Sequence, residues 1–310
     1  MNTHRNDPRL RSAALLLAAA LLVLAVLPAP AGAAGAREVS RSGAMPADGR
    51  LHIENLAGSV TVTGWDRAEI QLTGTLGESV EDLEFSTGDR TRVKVVFERT
   101  RHELHGNRSG ADLKLQVPHG CRLDISVVSA DVRLTGLDGE VAVTAVSGLV
   151  DVRGACRELK VENVSGSVMV DGAGRRSEIS TVSGSLEVRC DDADLQVETV
   201  TGEATVDCAT LRSLKADTVN GTITMTGRPA AGATIEAESI NGSLTLAVPA
   251  DVSAAFDVST FNGTIENAFG QKPERADKYV PGLDLKFSNG RGDADVKLNT
   301  LNGKISIRKK

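Results

Sequence analysis

One short phrase, roughly L-x-V-x-x-V-S/N-G-x-V-x-V-x-G, returns ten times along this chain. It is centred on Gly58, Ala130, Gly148, Gly166, Gly184, Gly202, Gly221, Gly242, Gly263 and Gly303, and from Ala130 to Gly202 it returns every 18 residues. A unit this short cannot bury its own apolar face, so it must stack on copies of itself. The repeat therefore bounds the fold before any other feature. It also lowers the expectation of an enzyme, because no column of catalytic residue types runs through the copies.

Positions counted from the central glycine show what each unit needs. Seven and five residues before it stand pairs such as Leu123/Ile125, Val141/Val143, Leu159/Val161 and Leu195/Val197. Period-two alternation in a short β-branched run reads as a strand with one buried face. Two before the glycine the column is Leu56, Val128, Val146, Val164, Val182, Val200, Val219, Ile240, Phe261 and Leu301. That apolar column is expected to point inward, with a bulge between the fifth and second positions before the glycine. After the glycine, positions +2 and +4 are apolar again, as in Val150/Val152 and Val168/Val170. The expectation is an all-β chain: a parallel β-solenoid of 18–21-residue coils with five inward positions each, and irregular, wider coils near the N-terminus. On this reading Val182→Asp unfolds the protein.

Two further columns concern register. At +5, Arg153, Asp171, Arg189 and Asp207 alternate in sign and are expected to form a charge ladder between coils about 4.8 Å apart. Just before the glycine stand Ser129, Ser147, Ser165, Ser183, Thr201, Asn220, Asn241, Asn262 and Asn302, turn-forming types expected to make a hydrogen-bonded structural ladder at the corner. Thr181, Thr199, Thr218, Thr260 and Thr300 precede the apolar −2 column and belong to the same corner.

Residues 1–36 combine Arg5, Arg9 and Arg11 with an apolar run and small-residue sites, and read as a secretory signal peptide, with a retained anchor as the alternative. A polar leader, 37–50, precedes a single solenoid domain, 51–310. Within it 51–122 read as irregular coils or a cap, 123–266 as regular coils, and 267–310 as a loop and C-terminal coils. No later segment is apolar enough to span a bilayer. Removing the leader's three arginines and one aspartate takes the formal charge from −6 to about −8, which argues against nucleic acid as partner.

Little in the sequence points to chemistry. An exported chain with four cysteines favours disulfides. Cys190 and Cys208 share one column and read either as a disulfide or as a reduced buried pair. His102-Glu103-Leu104-His105 has its histidines three apart, where metalloprotease spacing needs four. Arg291-Gly292-Asp293 reads as a glycine-rich turn. No catalytic, cofactor-binding or metal set is expected, and no cofactor.

The leading Ile53–Asp66 stretch (I-x-N-L-A-G-S-V-x-V-x-G-W-D), Leu115–Pro118, the repeated T-V-S-G and T-V-N-G turns and the closing Leu298–Ile307 resemble the bacterial "putative adhesin" family of β-strand-repeat proteins. The resemblance covers nearly all of the chain after the leader. It implies the β-strand-repeat fold and carries over no functional residues. With the leader and the lack of a catalytic column, the expectation is a non-enzymatic exported scaffold, periplasmic or on the cell surface, that binds an envelope protein or polysaccharide. The alternatives are a polysaccharide-active β-helix enzyme, with Asp151, Glu187, Arg133 and Arg189 as its only candidates, and self-association through the coil ends.

Overall fold

The computed structural model describes residues 36–88, 90–98, 110–275 and 281–310. Residues 1–35 of the signal-peptide reading and the His102/His105 pair lie outside them. Every helix or strand among the described residues is a strand, and they join into one fifteen-stranded, mostly parallel sheet. The strands are β1 (Arg37–Ala44), β2 (Arg50–Trp65), β3 (Glu69–Leu76), β4 (Val80–Ser86), β5 (Arg90–Phe97), β6 (Ala111–Pro118), β7 (Arg122–Thr135), β8 (Glu140–Arg153), β9 (Glu158–Asp171), β10 (Arg176–Ser239), β11 (Ser243–Val248), β12 (Ala254–Asn267), β13 (Glu274–Arg275), β14 (Leu283–Asn289) and β15 (Ala294–Lys309).

Through the middle of the chain like positions of successive repeats are partners. Leu123 pairs with Val141, Val141 with Leu159, and Ile179 with Val161, all in parallel. The ends differ. At the N-terminal end β1 runs antiparallel to β3, β3 to β6, and β4 to β5. There β5 and β6 share one edge of β2: Arg50–Glu54 faces Arg90–Lys94, and Gly58–Trp65 faces Ala111–Pro118. At the other end β14 lies antiparallel to β12. Hairpins replace parallel strands at both ends because a terminal layer has a neighbour on one side only, and an antiparallel return uses some of the exposed backbone.

Stack order departs from sequence order near the C-terminus. The expectation that residues 18–21 apart lie above one another puts β12 on β11. Instead β15 lies between them, parallel to both: Leu244 pairs with Ile305, and Ile305 with Ile265. The physical reason is that the two units are chemically interchangeable. Each brings inward apolar pairs (Phe256/Val258 and Val296/Leu298) and an Asn-Gly corner, so repeat matching cannot say which one occupies the slot.

The inward columns at −7, −5, +2 and +4 behave as expected. Leu123, Ile125, Val132 and Leu134 are buried, as are Leu195, Val197, Ala204 and Val206. Each fully buried Val or Leu contributes about 1.5–3 kcal/mol, so these columns dominate the stability. The −2 column is a correction. Val128, Val146, Val164, Val182, Val200, Ile240, Phe261 and Leu301 are between 40% and 49% exposed. Alternation does not break after −5; it continues, and the inward residue is at −3: Val127, Ala145, Asn163, Thr181, Thr199, Thr218, Ser239, Thr260 and Thr300, all buried. The break falls at the glycine itself. Gly184 has φ +130°, and a Cβ there would fall on the Gly166 carbonyl of the neighbouring layer. At Gly221 the added atom would also meet the Thr218 hydroxyl. The inside of this corner is thus confined: Val127 and Ala145 fill it in β7 and β8, and small polar side chains from Asn163 onward.

Candidate binding surface

With −7, −5 and −3 turned inward, the strand must turn −4 and −2 outward. Repeated layer upon layer, the two positions make two parallel columns on one face: an apolar one and a polar one. Between Thr144 and Leu301 they border a groove of about 930 Å³ crossing seven layers. One wall is Val146, Val164, Val182, Val200, Val219, Ile240 and Leu301. The facing wall at −4 is Thr144, Glu162, Ser180, Glu198, Asp217, Glu238 and Asn299.

The corner beside the apolar wall is held by side chains. Ser147, Ser165 and Ser183 each donate to the carbonyl of the −2 residue one layer below, Val128, Val146 and Val164, at 3.1–3.3 Å. Further along, Asn241 donates to Asn220 at 3.1 Å and Asn302 to Asn241 at 2.8 Å. Asn262 lies in register with Asn302. The serine bonds tie the Val128, Val146 and Val164 carbonyls to the next layer, and the asparagine bonds link side chains across layers, so the backbone under the apolar ridge is held at its corner.

Electrostatically the groove is one-sided. Its lining holds four acids (Glu162, Glu198, Asp217 and Glu238) and no basic residue. Lys160 reaches Glu162 at 3.0 Å, and Lys215 reaches Asp217 at 3.4 Å, though neither lysine lines the groove. Glu198 and Glu238 make no ion pair among the described residues and accept only amide hydrogen bonds, from Gln196 at 2.8 Å and Asn299 at 3.4 Å. Burial raises the pKa of Asp217 above the usual carboxylate value, against the lowering effect of Lys215, and the charges of Glu238 and Glu198 add to the rise.

The other sequence-predicted residues lie away from this face. Arg153, Asp171 and Arg189 occupy one register line, but the charges do not close across it. Arg153 binds Asp151 at 2.9 Å, Arg189 binds Glu187, and Asp207 faces Lys310 at 3.7 Å. A partner two residues along the same strand already points to the same side, so each arginine reaches it with less rotamer restriction than a neighbour one layer away. Arg133 likewise binds Asp131; the four residues of the enzyme alternative are thus tied into separate local pairs or, for Asp151 and Glu187, neutralised by their own arginines. Cys190 and Cys208 are joined, with Cα atoms 4.5 Å apart. Cys121 and Cys156 are free and buried; burial pushes their thiols up to about 12 and about 11. Arg291 and Asp293 pair with each other at 3.4 Å. Among the described residues no cluster of three His, Cys, Asp or Glu side chains could hold a metal ion, and no helix is long and apolar enough to cross a membrane.

Sequence reasoning missed the groove by assigning its apolar wall to the core. The signal was present: a strict alternation at −7, −5 and −3, whose last member is polar from Asn163 onward, and acids recurring at −4.

Several solved structures resemble this fold. One is a "putative lipid binding protein" from Parabacteroides distasonis, at 14% identity over 88% of this chain and 97% of that one, with a TM-score of 0.48. Another is a "putative adhesin" from Bacteroides fragilis, at 10% identity over 87% and 97%, with a TM-score of 0.35. A third, from Parabacteroides merdae and likewise a "putative adhesin", shows 13% identity over 88% and 97%, with a TM-score of 0.31. No curated protein matches the chain. The repeat, its corner glycines and the parallel stack agree with the match of residues 48–308 to one family: the chain belongs to the Toastrack DUF4097 family.

Proposed function

We propose that this protein is an exported, non-enzymatic scaffold that binds an envelope or surface macromolecule through the outward groove. The observation that carries the reading is the exposed apolar column. Nine large apolar side chains of one column, Leu56 included, are each 40–49% exposed, far more than isolated surface residues, and aligned exposed apolar surface marks an interaction site. The leader with its arginines, apolar run and small-residue sites supports export. The groove's lining, a long apolar wall facing hydroxyls, amides and four carboxylates spread over seven layers, suits extended contact with a macromolecule.

The test compares envelope-extract capture by the wild type and by Val164→Asp/Val182→Asp/Val200→Asp. Circular dichroism and the urea midpoint of the variant check that the three stacked carboxylates leave it folded, and Val164→Ser/Val182→Ser/Val200→Ser makes the same comparison without added charge. The reading expects a captured species that the variant loses. Identical capture by both proteins contradicts it.

A further inference from the structure

We propose that the groove's occupant is a basic amphipathic α-helix presented by a protein partner, its apolar stripe on the −2 ridge and its Lys or Arg side chains on the −4 acids. This rests on the reading above and names the partner's chemistry.

Three observations converge on it. The first is charge. Four carboxylates line the groove without a basic residue, and Glu198 and Glu238 are free of ion pairs among the described residues. A second copy of this face would set carboxylates against carboxylates, and an anionic headgroup would be repelled, whereas cations beside apolar groups match both walls.

The second is backbone. β8 is paired on both sides by β7 and β9, β9 by β8 and β10, and β15 by β11 and β12. The −2 residues themselves fall between paired positions. The carbonyls of Val128, Val146 and Val164 accept from the serines of the next layer, and those of Val219 and Ile240 from the backbone N–H groups of Asn241 and Asn302. The groove therefore offers a guest no continuous free row of backbone groups. An extended peptide laid there would leave its own backbone unpaired against valines, at a cost of the order of 1–3 kcal/mol per buried group. A helix satisfies its backbone internally and needs only side-chain contacts, the helix-in-groove mode.

The third is length. Seven layers are separated by six spacings of about 4.8 Å, or roughly 29 Å. A helix of about 20 residues spans about 30 Å. An apolar ridge flanked on one side by acids and on the other by neutral Ser and Asn also selects a helix whose cations lie along one margin of its apolar stripe. Such a margin fixes the helix direction.

Synthetic helices of about 20 residues test this, one built of Leu and Lys and one of Leu and Glu with the same apolar stripe, titrated into the purified protein by fluorescence anisotropy. The expectation is saturable one-to-one binding of the Leu/Lys helix and none of the Leu/Glu helix. Val164→Ser/Val182→Ser/Val200→Ser should weaken binding about tenfold or more. Glu198→Gln/Glu238→Gln should weaken it and flatten its salt dependence, while Glu81→Gln/Glu84→Gln, an equal charge change on the distant strand β4, should leave it unchanged. Equal loss from the β4 and groove variants would reveal non-specific charge attraction and overturn the proposal. So would equal binding of both helices, or a protein dimer abolished by the serine variant. If neither helix binds while envelope capture still depends on the −2 column, the helix proposal falls and the scaffold reading stands.

Discussion

Ile179 and Val182 sit three residues apart on one strand and have opposite surroundings: Ile179 is fully buried and Val182 is 47% exposed. Ile179→Asp places an unpaired charge in the stack and is expected to abolish folding. Val182→Asp is expected to shift the denaturation midpoint by no more than about 0.5 kcal/mol. Paired urea titrations check both. The corner glycines should behave differently again. Gly184→Ala must take φ +130° and push its Cβ onto the Gly166 carbonyl, so a loss of at least about 1–3 kcal/mol is expected in the same titration. Cys121 and Cys156, buried with pKa values of about 12 and about 11, should resist alkylation near pH 8 in the folded protein and react once it is denatured. At this scale the sequence was readable wherever a column was both apolar and at an alternating position. It misled at −2, where hydrophobicity and alternation disagree. Alternation wins because −7, −5 and −3 all turn inward on a continuous strand, which puts −2 outward whatever its hydrophobicity.

Among elements, the repeat identified the central layers of the stack, but neither the antiparallel strands at its ends nor every neighbour. The run from β7 into β10 follows sequence order because each layer is joined to the next by a short corner. After β12 the chain makes a longer excursion through β13 and β14, and its return as β15 is free to choose either face of the last layer. It enters the slot between β11 and β12. An Asn241→Cys/Asn302→Cys pair should therefore form a disulfide on mild oxidation, and Asn241→Cys/Asn262→Cys should not; mass spectrometry of the oxidised variants reads this directly. The charge line illustrates the same limit. Its register is legible from spacing, but the partners are not, because a guanidinium chooses among all carboxylates in reach. A double-mutant cycle between Arg189 and Asp207 is expected to show coupling near zero, and one between Arg189 and Glu187 a few tenths of a kcal/mol, as for other exposed pairs.

On the scale of the whole molecule, stacking turns a residue-level preference into a continuous surface. One exposed valine is ordinary; a column of them beside recurring acids is a groove some 29 Å long. The acids leave a trace in pH dependence. The pKa of Asp217 is higher folded than unfolded, chiefly through burial. Its contribution to stability is therefore complete below the unfolded carboxylate pKa and declines as pH rises through the folded value, where the carboxylate must ionise in the groove wall. Asp217→Asn should accordingly raise the melting temperature near neutral pH and have less effect near pH 3. The most direct check of the outward apolar column is native-state maleimide labelling of two single-cysteine substitutions, Val182→Cys and Ile179→Cys, three residues apart. The account predicts that the first is labelled nearly as fast as a free peptide thiol and the second only on unfolding; protection of both would return the valine column to the core and remove the groove.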